Sequence, residues 1–190
     1  NADGSEKEID RTLLIQSFYT EKDDFKTLIS FMSPKGVKGT KILTKKDGSD
    51  TGQWIYLPAL KRPPSRINSD QDLEGILDSD LSYSDIKQES TEDYAYTLNG
   101  GKFEEYATKL CGEPAYSITA TPKSSSGSSY SKRVLSISKT KYVVCGAALY
   151  DKSGKPKKNI LNTEYHNFGN SWRPTKTVIG EDIKFVEFNW

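Results

Sequence analysis

The sequence predicts a mainly β fold, α+β in class, built on a curved antiparallel sheet with a short helical lid. Three observations predict it. Strand-like runs recur roughly every ten residues with turn chemistry between them. Aromatic residues reach 11% although hydrophobic residues make up only 34%, a balance that suits sheets with wet outer faces and not disorder. Helical spacing is confined to residues 69–90.

The first two strands are expected over Arg11 to Thr20 and Phe25 to Met32, joined by Glu21-Lys22-Asp23-Asp24. A third runs from Val37 to Thr44, and the turn Lys46-Asp47-Gly48-Ser49 leads to a fourth at Gln53 to Leu57. Further strands are expected at Lys102 to Leu110, Ala115 to Pro122, Lys132 to Ser138, Lys141 to Tyr150, Asn159 to Phe168, Trp172 to Ile179 and Asp182 to Phe188. Turns at Asn99-Gly100-Gly101-Lys102, Ser124 to Ser129, Asp151 to Lys155 and Phe168-Gly169-Asn170 punctuate them. Asp3-Gly4 reads as one more hairpin turn, so the chain opens as a trimmed or processed fragment would.

In the first strand Leu13, Ile15 and Tyr19 oppose Leu14 and Phe18; in the second, Phe25, Ile29 and Phe31 oppose Leu28 and Met32. Apolar side chains on both faces call for a sheet that is covered twice or curves round something. Alternation returns at Leu135 and Ile137 against Ser136 and Ser138. Between residues 69 and 90, Leu73, Ile76, Leu77 and Leu81 fall at i, i+3, i+4 and i+8, one face of a short helix. Ser69 or Asp70 can cap its start, and Ser82 to Asp85 has the form of a second cap. Such short pieces hold only by burying Leu73, Leu77, Leu81 and Ile86, so this lid opens at modest cost.

At 190 residues the chain fits one domain, 1–190. A net charge of +1 and a mean hydropathy of −0.69 give no electrostatic footprint for nucleic acid. No apolar run approaches the roughly 20 residues of a membrane span. Cys111 and Cys145 permit one disulfide, worth roughly 3–4 kcal/mol, or two buried thiols.

Catalytic chemistry is thinly represented. His166 is the single histidine, and an alternating strand places it on one face with Glu164, the only pair from which a small hydrolase could be built. A structural histidine is the plainer reading. One His and two distant Cys give no zinc spacing, and no glycine loop cradles a phosphate, so no cofactor is called for. Asp78, Asp80 and Asp85 lack the spacing of a calcium loop and read as solvated lid surface. Trp54, Tyr56, Tyr83, Tyr116, Tyr142, Tyr150 and Trp172 could stack sugars, line an apolar cavity, or serve as ordinary strand residues.

The run Trp54-Ile55-Tyr56-Leu57-Pro58-Ala59-Leu60-Lys61-Arg62, followed by Arg66-Ile67 and by Asp78 to Ile86, resembles the bacterial outer-membrane lipoprotein-sorting proteins, relatives of the LolA and LolB carriers and of the sensor RseB. Met32 to Thr40 and the stretch from Tyr150 to Thr175 extend the resemblance over most of the chain. Pro63-Pro64 and Leu81 depart from the pattern, and the family's N-terminal helix and first strand are missing from it. The resemblance implies an unclosed antiparallel β-barrel with helices at its mouth, holding acyl chains in the bacterial periplasm. It implies lipoprotein or lipid cargo, an inner-membrane exporter and an outer-membrane acceptor as partners, and a lipid anchor on the full-length protein as an option. Trp54, Tyr56, Leu73, Ile76, Leu77, Leu81, Tyr83 and Ile86 are then the expected cavity and lid residues. A sensor or protein-interaction module on the same fold is the alternative.

Overall fold

The computed structural model describes residues 10–20, 24–48, 50–68, 75–77, 79–87, 90–124 and 126–180. The expected turn at Asp3-Gly4, the lid start with Leu73, and the strand Asp182 to Phe188 lie outside the described residues. The chain forms two compact units, Asn1–Gln88 and Glu89–Trp190. The fold class is the one the sequence predicts: mostly β, antiparallel and unclosed, distributed over two sheets.

The first unit is a five-stranded meander of β1 (Thr12–Tyr19), β2 (Phe25–Ser33), β3 (Lys41–Asp47), β4 (Asp50–Tyr56) and β5 (Ser65–Arg66), hydrogen-bonded in that order. The third strand starts later than expected. Pro34 opens a turn in which Val37 and Lys38 donate to its carbonyl, and Gly39 takes a φ of +86° that a strand cannot use. After β4, Pro58–Leu60 makes a 3₁₀ turn that Lys61 closes in the left-handed region.

Cross-strand register sorts the inner face into rows, because residues opposite one another share a face. Ile15, Ile29, Ile42 and Ile55 form one row across four strands. Beside it lies a second row, Ser17, Thr27, Thr44 and Gln53. Leu13 with Phe31 and Tyr19 with Phe25 flank the two. Ile29, Phe31, Ile42, Ile55 and Ile67 are buried together with Ile76 in one cluster. The coverage of both faces expected from β1 is not met there: Leu14, Ile15, Phe18 and Tyr19 are all exposed.

The second unit is a six-stranded meander of β6 (Tyr94–Asn99), β7 (Ala115–Pro122), β8 (Lys132–Ser138), β9 (Val144–Tyr150), β10 (Pro156–Asn167) and β11 (Trp172–Gly180). Strand β6 was not anticipated from sequence. The expected strand Lys102 to Leu110 is instead a helix, Lys102–Cys111, and Asn99 to Lys102 is its approach rather than a hairpin turn. Phe103, Tyr106, Ala107 and Leu110 recur at i, i+3, i+4 and i+7, and the helix ends at Gly112 in the left-handed conformation. Cys111 at its end is bridged to Cys145 on β9, with Cα atoms 5.3 Å apart. Alternation on β8 runs opposite to the polar-out expectation, since Ser136 and Ser138 are the buried residues. Ser138 Oγ donates to Glu113 and accepts from the backbone N–H groups of Thr140 and Lys141, which satisfies it inside the β8–β9 turn.

Candidate functional site: an apolar sheet face under a short roof

The inner face of the first unit is roofed by residues 75–77 and 79–87. Instead of the expected helix through Ile76, Leu77 and Leu81, the chain makes a hook. Gly75 bridges Ser82 as an antiparallel pair, and Ile76 donates its N–H forward to the Leu81 carbonyl at 2.7 Å. Leu77 sits in the left-handed region at φ 55°, which a helix excludes. Ser79 Oγ closes the hook on the Ile76 carbonyl at 2.8 Å. Gly75 is required by crowding, since a Cβ there would lie 2.3 Å from the Ser79 carbonyl oxygen.

The second cap is present as the sequence predicts. Asp85 accepts from the Ser82 N–H and Ser82 Oγ, both at 2.8 Å, and opens the single helical turn Tyr83–Ile86. That use of Asp85 fits capping, and no group of metal-ligating side chains occurs among the described residues.

Ile76 is completely buried and belongs to the sheet's own core cluster, while Leu77, Leu81, Tyr83 and Ile86 pack against it half-buried. Polar ties from Arg11 and Gln53 help to hold the roof. The Arg11 guanidinium donates to the Ile76 carbonyl at 2.9 Å and to the Leu77 carbonyl, and lies 5.9 Å from the centroid of the Phe31 ring. Gln53 Nε2 donates to the Tyr83 carbonyl at 3.3 Å and to Thr44 Oγ1 at 3.1 Å. Toward β1 the same face lies open: Ile15 is 60% and Tyr19 52% exposed.

Ile76, Leu77, Leu81, Tyr83 and Ile86 are thus brought together. Trp54 and Tyr56 are not with them, because strand alternation puts them on the opposite face from Gln53 and Ile55. There the Trp54 indole folds over Gly52, where a Cβ would come within 2.6 Å of it, and the Arg66 guanidinium lies 5.7 Å from its ring centroid. Sequence reasoning missed Arg11 and the two cross-strand rows. Alternation at Phe25, Thr27, Ile29 and Phe31, matched by Ile42 with Thr44 and by Gln53 with Ile55, was the signal that could have found the rows.

The other candidate does not assemble. The Glu164 carboxylate faces Lys176 at 3.6 Å, and the His166 ring packs edge-on against Phe168, with centroids 4.7 Å apart. Register shifts on either side of Glu164 break the alternation that would align the two residues.

Residues 23–184 match a family described as "Uncharacterized protein". The chain belongs to that family. Among solved structures it is similar to a putative outer membrane lipoprotein-sorting protein domain from Vibrio parahaemolyticus, at 26% identity and a TM-score of 0.74, covering 89% of this chain and 69% of that one. A DUF1329 family protein from Desulfovibrio piger is similar at 27% identity and a TM-score of 0.76, over 90% and 70% of the two chains. A LolA superfamily protein from Nitrosomonas europaea shares the fold, at 18% identity and a TM-score of 0.58, over 91% and 71%. Curated proteins give no match. The fold is that of the LolA superfamily, as the resemblance of Trp54 to Ile86 implies. No described helix is long and apolar enough to cross a membrane.

Proposed function

We propose that this protein is a carrier in the bacterial periplasm that holds the acyl chains of lipoproteins or other lipids on the inner face of its first sheet. The observation that carries the reading is the half-roofed isoleucine row: buried at Ile29, Ile42 and Ile55, open at Ile15, and covered by a segment that Arg11 and Gln53 tie to the sheet. An acyl chain of roughly sixteen carbons loses on the order of 10 kcal/mol on entering water, at about 0.8 kcal/mol per methylene. An apolar face retains much of that, and a roof of few residues can lift to load and release. Ile76, Leu77, Leu81, Tyr83 and Ile86 act as the moving cover; Leu73, which lies outside the described residues, is proposed as a further acyl-binding residue. Trp54 and Tyr56 serve the opposite face. No bond is made or broken, so no catalytic group is needed, and the donor and acceptor are membrane proteins on either side of the periplasm. The similarity to a lipoprotein-sorting domain supports this cargo.

Lipid extraction and mass spectrometry of the purified chain, together with uptake of a fluorescent fatty acid, test the reading. Repeated absence of both bound lipid and uptake would overturn it. A sensor or protein-interaction module has one observation in its favour, the exposed apolar edge strand β1 with Leu14 and Phe18. Capture of a stable protein partner by a chain that binds no lipid would support that reading instead.

A further inference from the structure

A net charge of +1 conceals an uneven distribution over the first sheet. The β2–β3 turn and the β4–β5 turn lie at the same end of it, since Lys41, which leaves the first, stands opposite Tyr56, which enters the second. They touch there: a Cβ on Gly39 would lie 3.2 Å from Pro58 Cγ. Residues 33–41 bring Lys35, Lys38 and Lys41, residues 57–64 bring Lys61 and Arg62, and neither segment holds an acidic residue. All five cations are exposed, and none has an ion pair among the described residues. The carboxylates Asp24, Asp47 and Asp50 lie at the opposite end of the sheet, where Asp24 accepts from the Gly48 N–H at 2.7 Å. Asp10, beside the start of β1, is the sheet's described carboxylate at the cationic end; Asp80 and Asp85 belong to the roof, where Asp85 is spent on its cap.

Two apolar side chains stand out among these cations. Leu60, in the 3₁₀ turn just before Lys61 and Arg62, is 52% exposed, and Met32 at the end of β2 is 45% exposed. The turns that present them are held by their own backbone: Leu60 donates to the Leu57 carbonyl at 3.0 Å, Lys61 to Pro58 at 3.2 Å, and Thr40 to Val37 at 3.1 Å. Unpaired cations collect anions, and an exposed leucine among them asks for hydrocarbon at the same place. A folded acidic partner would need a pocket shaped for Leu60 as well, whereas an anionic bilayer interface supplies phosphate and hydrocarbon everywhere on its surface. We infer that this end of the first sheet docks on an anionic phospholipid membrane, with the five cations over the headgroups and Leu60 and Met32 dipping toward the acyl boundary. This surface goes beyond the carrier reading and does not depend on it.

Flotation of the full chain with vesicles tests it, using equal parts phosphatidylglycerol and phosphatidylcholine against phosphatidylcholine alone, which offers the same acyl chains without net charge. The anionic vesicles are expected to bind and the neutral ones not. Binding should fall as salt shortens the screening length from about 10 Å at 0.1 M to about 3 Å at 1 M. Each Lys or Arg at an anionic surface is worth about fivefold in partitioning, so Lys35→Gln with Arg62→Gln, one from each turn, should lower binding about 25-fold. Leu60→Asn should lower it about tenfold at constant charge. Lys26→Gln with Lys46→Gln makes the same charge change at the opposite end of the sheet and should leave binding near that of the wild type. Equal behaviour of the two vesicle types, or equal loss in the two double variants, overturns the inference. Capture of the chain by immobilised poly-glutamate, without binding to either vesicle, assigns the cations to an acidic protein and overturns it too. Fatty-acid uptake is read separately, so each of these failures leaves the carrier reading intact. The wild-type comparison of vesicles and salt stands as a test even where a variant fails to fold.

Discussion

Replacing Ile76 with alanine probes whether residues 75–77 and 79–87 move as a cover. The side chain is fully buried against Ile29, Phe31, Ile42 and Ile55. Three carbons are lost, which removes about 2.4 kcal/mol of burial at 0.8 kcal/mol each. The cavity left behind adds to that, so the roof is weakened by about 2–4 kcal/mol. Among the described anchors that remain, the Arg11 and Gln53 contacts are polar and the other apolar residues are only half-buried. If the roof opens independently of the sheet, amide exchange at Ile76 accelerates about 30- to 700-fold, at tenfold per 1.4 kcal/mol. The amides of Ile29, Ile42 and Ile55 then keep their protection. Hydrogen exchange read by NMR or mass spectrometry separates the outcomes. Equal acceleration in roof and sheet would show one cooperative unit with no separate opening, and the mobile-cover argument would fail.

Three more perturbations follow from the same geometry. Gly75→Ala drives a Cβ against the Ser79 carbonyl oxygen, and uptake of a fluorescent fatty acid should change while the far-ultraviolet circular dichroism of the sheets does not; unchanged uptake would mean the hook plays no part in loading. In the second unit, hydrogen bonds from Lys141, Ser138 and Thr140 hold the Glu113 carboxyl down at about 2, against an ordinary 4.5. A carboxyl lowered in the folded state stabilises fully above its unfolded pKa and loses that contribution as pH falls from 4.5 toward 2. Thermal melts should drop across that window, and Glu113→Gln should flatten the drop; an identical pH profile in the variant would refute the assignment. The Cys111–Cys145 bridge closes a separation of 34 residues, so reduction should cost about 4 kcal/mol, read as a lower melting midpoint in dithiothreitol.

Strand and turn signals carried most of the fold because their physics is local. Asp151 shows this: its side chain accepts from the Ser153 and Lys155 N–H groups at 2.8 and 3.0 Å, making the turn that the Asp-Lys-Ser-Gly sequence announces. The helix Lys102–Cys111 was misread for an equally local reason. Gly100-Gly101 looks like a hairpin turn, and two aromatics in a short run look like a strand, so the 3.6-residue spacing of Phe103, Tyr106, Ala107 and Leu110 was passed over. The serines of β8 failed differently. Ser138 is buried because Glu113, 25 residues away, accepts its hydrogen bond, and no local pattern announces such a partner.

The site was legible only in part, and the missing part is the one that gives it chemistry. Capping chemistry marked Ser82 and Asp85, and the apolar residues from Ile76 to Ile86 marked a cover. What they cover depends on register, and register is a relation between strands. Thr44 reads as an ordinary β-branched strand residue and Gln53 as a polar residue at a strand start. Only pairing β2, β3 and β4 without a slip turns Thr27, Thr44 and Gln53 into a continuous polar band beside Ile29, Ile42 and Ile55. A shift of one residue would send the isoleucines and the band to the other face together. The side chains under the roof are therefore specified by the same pairing that builds the core. Any ligand laid along them meets hydrocarbon and hydrogen-bonding groups in a fixed order, with the open end at Ile15 and Ser17 and the closed end at Ile55 and Gln53.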